Sequence, residues 1–420
     1  MTAVLSRRAE AIATVALAAI AFIVVTGETL PIGLIAEVAD GIGATESRVG
    51  LTVSWYALIA AASAVPLTRW TSRFDRRQVL LGSAAVFGAG HLVAAFAQDV
   101  AVLGAGRGLA ALGHGVYFAV AAPAAMRLAR PEARGRAGAR VMVGGSIALV
   151  VGTPLATLLG QVSSWRVAML AVGVVAVALG VLVARLLPPL SGAEVRGSGG
   201  SVLSTVRVPG VLPILGVVLF AVTGHFTLYT YIAPYVGERF GVTGAGLTIL
   251  LLVYGAAAVV GSTLAGRVAD LRPVAGVRVA AATFTIALAG LWAAGSLSIE
   301  IAGLPLIVLW GGAFSVLNVC VALAVLRRAP GPRAETANAI TGIVFQVGIV
   351  TGSALGAAAS SAGLLATVPL LTAAGGVLVL TIAMLRGSAF AHAPVTPIEP
   401  LDTAAAPRDA EKVGLGLPRV

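Results

Sequence analysis

AIATVALAAIAFIVVTGETLPIG, residues 11–33, is the stretch from which the rest of the chain can be read. It carries no charge until Glu28, and with the three residues that follow it forms an apolar segment over 11–36. Such a run exceeds the ~20 residues that a helix needs to cross the ~30 Å hydrocarbon core of a bilayer. It is also too long for the apolar core of a secretory leader and is followed by no cleavage site, so it reads as a retained spanning helix.

Working outward, eleven further apolar runs appear at 49–68, 78–97, 101–126, 138–161, 166–187, 210–236, 245–268, 277–297, 302–326, 337–360 and 364–385. The chain has 420 residues, 58% hydrophobic and 11% charged, too little polar surface to cover a soluble globule of that length. An all-α integral membrane protein is the class that remains. The twelve segments divide into an N-terminal six-helix half over 1–190 and a C-terminal half over 209–387. SGAEVRGSGGS within 191–208 reads as a flexible cytoplasmic linker, and the proline-rich 388–420 as a disordered cytoplasmic tail.

The net charge of +11 suggests nucleic acid only until its placement is examined. Arginines gather in alternate short loops, at 69–77, 127–140, 267–278 and 327–333, whereas the other set of loops holds Arg48, Arg166 and Arg239 among Glu37, Asp40, Glu46, Asp99, Glu238 and Glu300. This is the positive-inside pattern, and it puts both termini in the cytoplasm. No nucleic-acid partner is expected. Cys320 stands alone, so neither a disulfide framework nor a thiolate metal site is available, and no metal or cofactor is expected.

The halves also repeat. Tyr56 matches Tyr254 in offset, Thr68 matches Gly266, Ser72 matches Asp270, Gly144 matches Gly348, Gly152 matches Gly356, and Pro31 falls near Pro234. Internal symmetry of this kind marks duplicated transporter folds, with the substrate site near the midplane between the halves.

Charges inside the segments are then few enough to name. A carboxylate in hydrocarbon costs a few kcal/mol or more unless it faces a partner or water, so Glu28 is a functional residue by default, here the proton-carrying group of a secondary transporter. Arg107 is the one basic residue deep in a segment, on the order of 10 Å from the outer end of the fourth. Glu28 lies at comparable depth, so the two are expected to neutralise each other or share a hydrogen-bond network, and separating them would switch the carboxylate's affinity for protons. The competing readings are a permanent ion pair that only specifies packing, and an arginine that reaches back to the interface.

His114 shares a helical stripe with Arg107. His225 sits in GHFTLYTYIAPY, residues 224–235, with Thr227, Tyr229, Thr230 and Tyr231. Tyr56, Tyr117, Asn318 and Gln346 on other segments join them as candidate lining of a central cavity. Aromatic walls with few hydrogen-bonding groups suit a moderately apolar small molecule; the alternative is that these side chains bond across helices to hold the bundle together. Gly144 and Gly152 with Pro154 on the fifth segment, and Gly348, Gly352 and Gly356 on the eleventh, allow close backbone approach.

These stretches together resemble the major facilitator superfamily, and within it the twelve-helix drug:proton antiporter family in its arabinose-efflux-like and chloramphenicol-resistance branch. GETLPIGLI resembles the first-helix signature, GRGLAALGHGVYFAVA (106–121) the fourth-helix motif, and GTPLATLLGQVSSWR (152–166) the fifth-helix antiporter motif. The resemblance implies two pseudo-symmetric halves that alternate access, the acid of the first helix taking the proton with the arginine of the fourth nearby. It also assigns the 2–3 loop, here Arg73, Arg76 and Arg77, and its second-half counterpart Gly266 and Asp270, to conformational exchange, together with Gly144, Gly152 and Pro154. The first-half loop departs from the pattern, with Thr68 and Ser72 where a glycine and an aspartate are usual.

The resulting expectation is a monomeric exporter in a bacterial cell membrane, driven by protons and moving small organic molecules such as amphenicol-type antibiotics. The alternative is a sugar or metabolite permease, efflux or uptake, of the same fold. No phosphate-cradling GxxxxGK[ST] loop is present, which argues against an ATP-driven pump, and no catalytic constellation argues for an enzyme.

Overall fold

A computed structural model describes residues 7–190, 201–330 and 333–391. Among them there is no strand. The first half comprises α1 (Arg7–Gly33), α2 (Ile35–Gly41), α3 (Glu46–Thr71), α4 (Arg76–Ala95), α5 (Val100–Leu128), α6 (Arg134–Ile147), α7 (Thr153–Val162) and α8 (Trp165–Leu186). After the short α9 (Val202–Val206), the second half comprises α10 (Val211–Tyr229), α11 (Ile232–Phe240), α12 (Ala245–Leu271), α13 (Pro273–Ser296), α14 (Glu300–Arg328), α15 (Arg333–Ser361) and α16 (Val368–Leu385). Twelve spans within this set are long and apolar enough to cross a membrane, and they coincide with the twelve sequence segments.

Several helices begin at an oxygen-bearing cap. Thr45, Asp75, Asp99 and Ser164 each accept a backbone N–H of the first turn, satisfying donors that would otherwise lie bare at the membrane surface. Three interruptions sit at prolines, which cannot donate to the carbonyl four residues back. α1 gives way to α2 at Leu34, just past Pro31, and α10 gives way to α11 just before Pro234. α6 and α7 are one span joined by a π-helical turn, Ala148–Gly152, ahead of Pro154. The wider turn absorbs the missing donor without breaking the helix.

The duplication is visible in which helices pack. α4 lies against α5 and α8 as α13 lies against α14 and α16; α1 lies against α6 and α8 as α10 lies against α15 and α16; α3 packs on α5 as α12 packs on α14. The halves meet along two symmetric seams, α3 on α15 and α12 on the π turn with α7. Hydrogen bonds across these seams gather toward the end of the bundle that carries the 34–45 turn. There Tyr231 donates to the Ser47 carbonyl (3.3 Å), Ser54 donates to that of Val350 (3.1 Å), and Thr248 donates to Gln161 Oε1 (3.0 Å). Two glycines make the approach possible: a Cβ on Gly50 would overlap the Tyr231 hydroxyl, and one on Gly255 would lie 2.6 Å from Val150 Cα.

Two regions read from composition as unstructured are partly ordered. Of the linker over 191–208, residues 191–200 lie outside the described residues, but 202–206 form α9 with Thr205 buried. Of the tail over 388–420, residues 392–420 lie outside them, but Gly387–Phe390 form a 3-10 turn with Phe390 only 1% exposed. In the second region the carbonyls left free where α16 ends are the reason. Arg278 donates to those of Ala383 and Met384, and Arg328 to those of Ser388, Ala389 and Ala391.

Candidate functional site

Pro31 organises the polar centre of the first half. It has no N–H, so the carbonyl of Gly27 lacks its helical donor inside a membrane span, where an unsatisfied carbonyl is costly. Arg107, fully buried on α5, supplies the donors: Nη1 bonds the Gly27 carbonyl at 2.6 Å and Nη2 that of Glu28 at 2.7 Å. Its guanidinium also lies over the Tyr56 ring, 4.3 Å from the centroid, a cation–π contact that is strong when desolvated.

The expected meeting of Glu28 and Arg107 therefore takes place, but through the backbone and not through the carboxylate. An ionisable group beside the carboxylate is His114, with Nδ1 3.7 Å from Oε2. His114 Nδ1 also shares a 2.9 Å hydrogen bond with the Tyr56 hydroxyl, and its ring packs edge-on to Tyr56 and tilted on Phe118. Glu28 keeps 16% of its side-chain surface accessible and His114 11%, whereas Arg107 and Tyr56 keep none. The carboxyl is thus less enclosed than the arginine behind it, which is fully buried between α1 and α5.

Three residues of this cluster were not singled out from sequence. His91 on α4 donates Nδ1–H to the Phe87 carbonyl (3.1 Å), since a carbonyl can only accept, and its Nε2 abuts Gly27, where a Cβ would lie 2.5 Å away. Thr29 and Thr153 share a 2.6 Å hydroxyl contact that ties α1 to α7. A histidine in the otherwise apolar run FGAGHLVAA (87–95) was a signal available in the sequence; the threonine pair, 124 residues apart, was not.

The second half holds a matching but less polar cluster. His225 stacks on Phe314 (3.7 Å between centroids) and on Tyr229 (4.9 Å), with Trp310 5.2 Å away. Its Nδ1 lies 3.5 Å from the hydroxyl of Tyr254. Tyr56 and Tyr254 are the pseudo-equivalent residues found in the sequence, and each faces a histidine, but one histidine comes from α5 and the other from α10. His225, Tyr229 and Tyr254 are buried.

The remaining candidates separate. Tyr117 is spent on a hydrogen bond to the Leu17 carbonyl of α1. Tyr231, fully buried, is wedged in the seam between the halves. Asn318 on α14 and Gln346 on α15 are half-buried. Gly144 packs on the Ala18 backbone and Gly152 on Thr26, so both bring the fifth span onto α1, and Pro154 follows the π turn that touches α12. At the arginine-rich end, Asp270 pairs with Arg327 at 2.8 Å, Arg327 also bonds the Ala269 carbonyl, and Gly266 has open space around it. In the first-half loop, Asp75 caps α4 through the Arg77 N–H, the backbone N–H of Arg76 bonds the Leu190 carbonyl, and Arg73 lies over Trp70 and Phe74.

A duplicated twelve-span bundle with one accessible acid beside a buried arginine and a histidine defines a membrane transporter. The Major Facilitator Superfamily profile matches residues 17–353, and the chain belongs to that superfamily. It is 37% identical over 347 residues to a chloramphenicol efflux pump of Mycobacterium tuberculosis strain H37Rv, covering 81% of this chain and 84% of that protein. A probable sugar efflux transporter of Mannheimia succiniciproducens is 30% identical over 352 residues, covering 84% of this chain and 88% of that one. Among solved structures, a bacterial homologue of the human lysosomal transporter Spinster, inward-facing and unoccupied, aligns with a TM-score of 0.75 at 15% identity, covering 92% of this chain and 98% of that one. Its occupied inward-facing form aligns with a TM-score of 0.76, also at 15% identity, covering 93% and 100%.

Proposed function

We propose that the chain is a proton-coupled exporter of small, moderately apolar organic molecules, with amphenicol antibiotics as the substrate class to test first. The supporting observation is that Arg107 is engaged by the Gly27 and Glu28 backbone carbonyls and not by the Glu28 carboxylate, which keeps 16% of its side-chain surface accessible. Its charge is therefore not cancelled by a dedicated partner, and the carboxyl is free to load and release a proton. When it is ionised, the guanidinium has two competing acceptors, the carbonyl exposed by Pro31 and the carboxylate. When it is protonated, only the carbonyl remains attractive. Proton occupancy thereby selects between two positions of α1 against α5, and α1 carries the motion to α7 through Thr29 and Thr153 and to α6 through Gly144. His114 and Tyr56 form the polar contact beside the carboxyl through which the proton or a substrate hydroxyl would be shared.

The charge pattern supports placing the arginine-rich end and both termini in the cytoplasm. On that orientation the three seam hydrogen bonds tie the halves together on the outer side, which suits a state that receives substrate from the cytoplasm. The relatives' names favour export, with an amphenicol for the more similar one and sugar for the other, and aromatic walls suit either. The deciding experiment uses inverted membrane vesicles from a strain without its own pumps. Glu28→Gln is expected to insert and fold normally yet lose proton-driven accumulation of chloramphenicol. Wild-type accumulation by that variant, or accumulation insensitive to an uncoupler in the parent, would overturn the assignment.

A further inference from the structure

We propose that the groove between α3, α4 and α5 at the arginine-rich end binds one anionic phospholipid, with an acyl chain in the groove and the phosphate against Arg73 and Arg77. The groove encloses about 420 Å³ and is walled by Leu67, Trp70, Val79, Val86, Leu109 and Val116. Two of its polar side chains present little polarity: the hydroxyls of Thr71 and Ser83 are turned back onto the Leu67 and Leu80 carbonyls of their own helices. Gly82 makes the space, since a Cβ there would meet nothing within 4 Å. From Leu109 to Val116 the wall runs about 10 Å along α5, which suits a chain lying parallel to the helices better than a compact polar solute.

The rim supplies the charge. Trp70 and Phe74 are exposed where aromatic residues favour the bilayer interface, and the Arg73 guanidinium is held over them, 5.7 and 5.2 Å from the ring centroids. Arg69, Arg73, Arg76 and Arg77 face one acid in this loop, Asp75, and its carboxylate accepts the helix-capping bond from the Arg77 N–H. The pseudo-equivalent loop of the second half has Asp270 paired with Arg327, where the first half has Ser72. A phosphodiester is the anion that a basic, aromatic rim above an apolar slot is built to hold. The transported solute is a poorer fit, because the wall offers little for orienting it beyond Gln78 and the indole N–H of Trp70 at the rim.

The test is native mass spectrometry and thermal-shift titration of the purified full chain with phosphatidylglycerol and phosphatidylcholine of matched acyl chains. Phosphatidylglycerol is expected to be retained and to stabilise the chain in preference to phosphatidylcholine. Gly82→Leu starts from a Cβ in open space, projects into the slot and improves helix propensity, so it should leave lipid-free stability intact and abolish the preference. Arg73→Gln should reduce the preference roughly five-fold, the effect of one interfacial cation. Equal retention of the two lipids, an unchanged preference in Gly82→Leu, or displacement of chloramphenicol instead of lipid by Gly82→Leu would each overturn the proposal. These readouts need no transport, so they stand apart from the exporter assignment.

Discussion

Replacing Pro31 with alanine returns a backbone N–H to α1 opposite the Gly27 carbonyl, the group Arg107 now satisfies. A proline in a helix interior costs about 3 kcal/mol, and a hydrogen bond to a charged donor contributes about 1.5–3 kcal/mol. If the new N–H displaces one guanidinium bond, the two effects nearly cancel, leaving stability unchanged or raised by up to ~1.5 kcal/mol by the same figures. Transport should respond quite differently. With Gly27 satisfied from within the helix, the arginine loses its reason to stay on the backbone and is drawn to the Glu28 carboxylate, and the two acceptors no longer compete. Pro31→Ala is therefore expected to keep a normal or higher melting temperature by fluorescence-detected size exclusion while losing most proton-driven efflux in inverted vesicles. Arg107→Met made in both backgrounds completes the cycle. It should destabilise the parent more than the Pro31→Ala protein, because only in the parent does it leave a buried carbonyl bare. Full transport activity in Pro31→Ala, or a loss of several kcal/mol in stability, would refute the account of why Arg107 sits where it does.

Further outcomes follow from the seams and from the contact between α1 and α7. Gly50→Ala forces a methyl into the Tyr231 hydroxyl and should weaken closure at the 34–45 end, read as increased thiol labelling of a cysteine introduced near that seam; Tyr231→Leu in the same chain should restore closure. Thr29→Val leaves the Thr153 hydroxyl without its cross-helix partner and should cost about 1 kcal/mol. The double change Thr29→Val with Thr153→Val should cost less than the sum of the two single changes, measured by thermal unfolding in detergent.

The polar centre shows how far the sequence could be followed. That Glu28, Arg107 and His114 belong together was legible, because ionisable residues are scarce in hydrocarbon and their depths can be counted along a helix. Their contacts were not. Which atom of Glu28 meets Arg107 depends on Pro31 three residues later on α1 and on the rotation of α5 against it, and neither is a property of one segment. Tyr231 reads as part of a cavity wall by composition, yet it fills the seam between halves because Gly50, on a helix 181 residues away in sequence, has no side chain. The order at 387–390 was likewise hidden, since it depends on arginines of distant helices meeting free carbonyls, and that at 202–206 depends on packing against α15.

The sequence alone determined the number of spans, their duplication, the alternation of arginine-rich loops and the short roster of charges in the membrane. Each is a one-dimensional consequence of a solvent that rejects charge and demands continuous helices. Only the tertiary structure decided how donors and acceptors on different helices are matched: guanidinium to backbone carbonyl, carboxyl beside imidazole, and the halves latched at one end. Hydropathy sets where a helix lies but is silent on its rotation, and in this bundle the rotation of α5 against α1 settles which groups can exchange partners.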